Sequence, residues 1–195
     1  MKTPDLILAS TSVYRRALLE KLALPFRCMA PQIDETPKLG ESAEQLVQRL
    51  ALEKAKAVAE HNPTGWIIGS DQVCTINDAV VGKPGSETAA IAQLQAASDQ
   101  RITFYTGLCL YDAAQQRYQL IAEPFHVHFR TLSAEQIKRY VKAEMPLDCA
   151  GSFKSEGLGI TLFSQLEGRD PNSLIGLPLI ALVDMLAEWD IELPL

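Results

Sequence analysis

A chain of 195 residues, 47% of them hydrophobic, can fill one packed domain or two small lobes sharing a cleft, which excludes a disordered segment. Its formal net charge of −6 excludes a protein that coats nucleic acid, so a bound anion must meet cations gathered in one place. The first apolar run, Leu6 to Ala9, is too short for a signal peptide or a membrane span, and a soluble cytoplasmic protein with no membrane partner is expected.

Leu6 to Ala9 reads as a short buried strand, followed by the hydroxyl run Ser10-Thr11-Ser12 and a helical pattern from Val13 to Leu22. Phe26 to Ala30 follows as a second strand. Ser42-Ala43-Glu44-Gln45 has the form of a capping box and opens a helix to about His61. Trp66 to Ile76 is a long strand, with Asn77-Asp78 as a turn and Val80-Val81 returning as its partner. A helix spans Ser86 to Ala97, and Arg101 to Tyr111 and Tyr118 to Phe129 read as antiparallel strands. A second capping box, Ser133 to Gln136, opens a helix to Glu144, ahead of the glycine-rich stretch 151–159. The apolar stretch Leu174 to Leu186 reads as a packed helix beginning at Leu177-Pro178, with proline in the first turn. Strands and helices alternate, which predicts a mixed α/β sheet with flanking helices.

Cys28, Cys74, Cys109 and Cys149 lie far apart with no C-x-x-C pair, and read as buried free thiols in a reducing compartment. His126 and His128 alternate on one strand, a pattern more often incidental than metal-binding.

Five places carry chemistry. The hydroxyl loop entering the first helix offers backbone N–H groups to an anion, and Arg15 and Arg16 stand in that helix's first turn, where cations oppose the dipole. They are either phosphate ligands or a solvated pair. Lys54 falls on the apolar stripe of Leu46, Val47, Leu50, Ala51, Ala55 and Val58, so it either snorkels outward or meets an anion in a cleft. Asp71 lies inside a central strand, where a carboxylate must be paired, hydrogen-bonded or metal-bound. It suits a general base or a Mg²⁺ ligand better than a structural cap. Asp34-Glu35 is a surface pair or a second source of metal oxygens. Lys83 sits in the turn Gly82-Lys83-Pro84-Gly85, whose spacing is not that of a P-loop.

Taken in order, Ala9-Ser10-Thr11-Ser12-Val13-Tyr14-Arg15-Arg16, Asp34-Glu35-Thr36, Glu53-Lys54-Ala55, Gly69-Ser70-Asp71-Gln72, Gly82-Lys83-Pro84, Tyr105-Thr106-Gly107, Gly151 to Gly157 and Ile175-Gly176-Leu177-Pro178 resemble the Maf family across nearly the whole chain. The resemblance implies one family domain over residues 1–195, with a fold related to inosine triphosphate pyrophosphatases and two lobes around a nucleotide cleft. It also implies hydrolysis of a nucleoside triphosphate between the α and β phosphates, assisted by Mg²⁺ or Mn²⁺. Residues matching the family's site are Asp71 as proton acceptor, Ser10, Arg15, Arg16, Lys54 and Lys83 at the phosphates, and Glu35 with Asp71 at the metal.

Tyr14, Gln72 and Glu156 match the family's specificity positions, and the combination resembles the branch that acts on 7-methyl-GTP, clearing a modified nucleotide. The branch acting on dTTP and UTP carries Asp-Thr where this chain has Asp71-Gln72. Two positions depart from the pattern: Val13 replaces a proline, and Tyr14 stands where the methylguanine branch has tryptophan. The alternatives are a pyrophosphatase for dTTP, UTP or another nucleotide, and a non-catalytic nucleotide sensor affecting septum formation. A homodimer is compatible with the resemblance.

Overall fold

In the computed structural model, which describes residues 5–77 and 79–194, the run Leu6–Leu8 forms β1, buried along its whole length. A strand so buried needs neighbours on both edges. β2 (Phe26–Cys28) and β3 (Trp66–Ile76) both pair with it in parallel, Leu6 facing Phe26 on one side and Trp66 on the other. The sheet continues through β5 (Arg101–Asp112), β6 (Arg117–Phe129) and β7 (Phe163–Gly168), in the order β2-β1-β3-β5-β6-β7. The short β4 (Ala79–Val81) pairs antiparallel with the far end of β3. The turn expected at Asn77-Asp78 has Asp78 outside the described residues.

Among the described residues four helices lie between these strands, α1 (Val13–Glu20), α2 (Ala43–Ala59), α3 (Glu87–Ala97) and α4 (Ala134–Glu144), and two follow β7, α5 (Pro171–Ile175) and α6 (Leu179–Ala187). The expected mixed α/β sheet with flanking helices is therefore present. Both capping boxes form, Ser42 with Gln45 and Ser133 with Gln136, each pair exchanging side-chain and backbone hydrogen bonds.

The chain divides into two compact units, with boundaries inside β3, β5 and β6. The first comprises Met1–Asp71, Thr106–Glu123 and Gly176–Leu195. Its core packs Ile7, Ala9 and Ile67 against Ala51, Ala55 and Val58 of α2, with Cys109 and Tyr111 of β5. α2 sits unusually close to the sheet. A side chain at Gly69 would overlap the carbonyl of Ala51, and one at Gly107 would overlap that of Val47. The segment after α6 is tied down by Trp189, whose ring meets Trp66 edge-on at 4.9 Å and carries the Arg117 guanidinium at 4.5 Å.

The second unit comprises Gln72–Tyr105 and Pro124–Ile175. Its centre is an edge-to-face cluster in which Phe153 meets Phe104, Phe129 and Phe163 at centroid distances of 5.3, 5.6 and 4.7 Å. α3 and α4 pack together. The glycine-rich stretch becomes two short 3₁₀ turns, Ala150–Ser152 and Leu158–Leu162.

Three expectations need correction. β7 was not anticipated: only Phe163 of its six residues is buried, so it shows no apolar alternation, and it joins the sheet by antiparallel pairing with β6. The stretch Leu174 to Leu186 is not one helix. Leu174 belongs to α5, Gly176 at φ +123° breaks the chain, and Pro178 is the N-cap of α6 rather than a first-turn residue. The cysteines are free, but only Cys74 and Cys109 are buried; Cys28 is exposed and Cys149 half-buried.

Candidate active site

The loop between β1 and α1 is fixed at both ends. Ala9 N–H donates to Ile68 O at 2.9 Å, continuing the parallel pairing, and Ser12 caps α1 by accepting from Arg15 N–H. Between them Ser10 is buried, its hydroxyl accepting from Ser12 N–H at 3.1 Å. The two arginines then part. Arg15 is half-buried and donates from Nε to Gly176 O at 2.8 Å. Arg16 points to solvent and pairs with Glu20 at 3.0 Å, one helical turn on.

Asp71 stands in the middle of β3. Because β1 stops at Leu8, opposite Ile68, Asp71 nevertheless lies beyond the carboxyl end of the parallel pair. Strand alternation turns Gly69 and Asp71 toward α2 and sends Ser70 and Gln72 the other way. The missing side chain at Gly69 lets α2 descend, and Lys54 comes within reach of the carboxylate. Its ammonium lies 2.7 Å from Asp71 Oδ1 and 2.8 Å from Glu35 Oε1. Lys54 is only 5% exposed and Asp71 only 7%, so the lysine does not snorkel outward. Arg15 is close enough to feel both acids: burial lowers its pKa, while the charges of Asp71 and Glu35 push it back up.

Glu35 reaches this point because its loop is fastened to α2. Arg49 donates to Glu41 at 2.6 and 2.8 Å, to Glu53 at 3.0 Å and to Thr36 O at 3.1 Å. Those bonds hold the Glu41 carboxyl down at about 2. Asp34 faces away from this chemistry, accepting from the Thr36 N–H and hydroxyl in a local turn.

The donor set fits a hard divalent cation. Two carboxylates converge on one positive charge, the buried ammonium standing where such an ion would bind. Among the described residues no group of three or more His, Cys, Asp or Glu surrounds one point. Two carboxylates are within what Mg²⁺ takes from a protein, phosphate oxygens and water filling the remainder.

The other anticipated residues are placed as follows. Tyr14 is half-buried in the first turn of α1. In the second unit, Gln72 donates from Nε2 to Ser173 O at 2.7 Å and Leu174 O at 3.1 Å. Lys83 is exposed in the loop after β4. Glu156 is exposed between the two 3₁₀ turns and accepts from Ser155 Oγ at 3.3 Å. His126 pairs with Thr103 at 3.0 Å and His128 with Glu167 at 2.9 Å.

Sequence reasoning missed Ser70, Gly176 and Arg49. Ser70 is fully buried and donates to Gly176 O at 3.0 Å, the carbonyl that also holds Arg15. One backbone oxygen thus orients the guanidinium, leaving its other N–H groups for an anion. The motif residues were visible, but bonds across 106 and 161 positions were not. Replacing Ser70 with alanine is expected to cost about 1 kcal/mol of stability. It should also raise KM for a triphosphate several-fold with little change in kcat. Urea denaturation and steady-state kinetics check the two effects.

The family model described as Maf-like protein matches residues 5–189. Over 194 residues, taking in 100% of this chain and 98% of the other, the sequence is 57% identical to a 7-methyl-GTP pyrophosphatase of Alcanivorax borkumensis (strain ATCC 700651 / DSM 11573 / NCIMB 13689 / SK2). Two solved structures share the fold. The Staphylococcus aureus Ham1 protein aligns with a TM-score of 0.54 at 14% identity, covering 96% of this chain and 100% of its own. A HAM1 protein from Coxiella burnetii aligns with a TM-score of 0.50 at 17% identity, covering 79% and 89%. The match over nearly the whole length makes this chain a member of the Maf-like protein family.

Proposed function

We propose that this chain hydrolyses 7-methyl-GTP between the α and β phosphates, releasing 7-methyl-GMP and pyrophosphate. The observation that carries the chemistry is the buried Lys54 ammonium between Asp71 and Glu35, with Arg15 beside them. The full-length similarity to a protein named for that activity supports the substrate.

In this reading Ser10, Arg15, Lys54 and Lys83 hold the triphosphate, and Arg16 exchanges Glu20 for a phosphate oxygen. Asp71 accepts a proton from water as its oxygen attacks the α phosphorus; the bond to the bridging oxygen breaks and pyrophosphate leaves. A divalent cation held by Asp71 and Glu35 would neutralise charge on the phosphates. For the base, the Tyr14 ring attracts the positive charge of N7-methylguanine. Glu156 accepts from guanine N1–H and the 2-amino group, edges that thymine and uracil lack. Gln72 acts as the third selecting residue. Among the described residues no helix is long and apolar enough to cross a membrane. A cytoplasmic setting suits the four free thiols.

The test is pyrophosphate release from 7-methyl-GTP, GTP, dTTP, UTP and other triphosphates, with and without Mg²⁺ or Mn²⁺. Metal-dependent turnover led by 7-methyl-GTP is expected, and Glu156→Gln should cut kcat/KM for it by about tenfold or more. Turnover led by dTTP, UTP or another nucleotide would keep the reaction and overturn the base assignment. Binding without pyrophosphate release would mean a nucleotide sensor.

A further inference from the structure

Lys54 is placed to do more than hold a phosphate. Its ammonium is within hydrogen-bond distance of both carboxylates that would hold a divalent cation, at 2.7 and 2.8 Å. The helix that carries it is held in place. α2 is pressed on the sheet where Gly69 and Gly107 leave no side chain, and its neighbours Ala51 and Ala55 are wholly buried. An ammonium and a divalent cation cannot share the same pair of carboxylate oxygens, because like charges at contact distance repel strongly; Asp71 is buried, while Glu35 opens to solvent.

From this we infer that Lys54 is an internal counter-ion that blocks the metal site until a triphosphate arrives. The inference rests on the site reading given above. The triphosphate brings several negative charges and new acceptors, and the ammonium turns from the carboxylates to the phosphates. Asp71 and Glu35 are thereby released to the metal. Metal and nucleotide then each raise the other's affinity, by the same factor, through one lysine. The lysine also keeps the two carboxylates close together while no metal is bound, which would otherwise cost like-charge repulsion.

The test is metal binding rather than turnover. Mn²⁺ is titrated into the full chain, with the free ion followed by electron paramagnetic resonance, with and without an α,β-methylene triphosphate analogue. In the wild type, Mn²⁺ alone should bind at least tenfold more weakly than with the analogue. In Lys54→Met, Mn²⁺ alone should bind at least tenfold more tightly than to the wild type, and the analogue should raise its affinity by less than it does in the wild type. In Lys54→Met/Asp71→Asn that gain should vanish, which ties the ion to this carboxylate. Equal Mn²⁺ affinity of the wild type with and without analogue would overturn the inference, even if Lys54→Met fails to fold. So would unchanged or weaker Mn²⁺ binding in a folded Lys54→Met, or a gain that survives the loss of Asp71. Failure of the nucleotide reading would appear separately, as a wild type inactive on the whole triphosphate panel.

Discussion

Replacing Asp71 with asparagine is expected to lower kcat by about a thousandfold or more while leaving the protein folded. The amide keeps the shape and can still accept from the Lys54 ammonium at the position of Oδ1, 2.7 Å away in the wild type. What it cannot do is take a proton. Loss of a general base costs roughly 10²–10⁴ in rate. The same change removes one of the two carboxylates that converge on Lys54, weakening any cation held there. Lys54 keeps Glu35, so the stability cost should stay near 2 kcal/mol, the range of a charged hydrogen bond made neutral. Steady-state kinetics and a urea melt on the same preparation separate the effects. Retention of most of the activity in Asp71→Asn, or in Asp71→Ala, would exclude both the base and the metal-ligand role.

The second large effect lies in the backbone. Gly69→Ala and Gly107→Ala should each destabilise the protein by about 3 kcal/mol, the upper range for overpacking a tight interior. The added carbon meets main-chain carbonyls of α2, Ala51 in one case and Val47 in the other, and a helix backbone cannot yield as a flexible side chain can. Gly69→Ala should in addition lower activity, because lifting α2 there draws Lys54 from Asp71. Gly82→Ala is the control: nothing lies within 4 Å of its added carbon, so stability should be nearly unchanged. Chemical denaturation of the three variants decides it, and equal midpoints would mean that the helix can shift without cost.

What could be read in the sequence follows a physical division. Local signals survived: the capping boxes at Ser42 and Ser133 formed because their partners lie three residues away. Lys54 on an apolar stripe and Asp71 inside an apolar strand were legible as groups needing a partner, and each proved to be the other's. Signals that depend on distant segments were silent. Arg49 beside Glu53 reads as a helix-surface pair, yet its stronger partner is Glu41 on the preceding loop. Arg15 and Arg16 look alike in the sequence. The carbonyl of Gly176 holds Arg15 inward, near Asp71 and Glu35, while Arg16 finds Glu20 on its own helix. β7 carries mostly exposed side chains and owes its place to pairing with β6.

The alternation of β3 has a meaning for the history of such a chain. Asp71 and Gln72 are consecutive, yet one side chain turns to Lys54 and the other to the carbonyls of Ser173 and Leu174. If Gln72 selects the base as proposed above, a mutation there would retune which base is accepted without disturbing the neighbouring carboxylate. Descendants of one ancestral gene could in this way drift from one nucleotide to another while inheriting the same reaction.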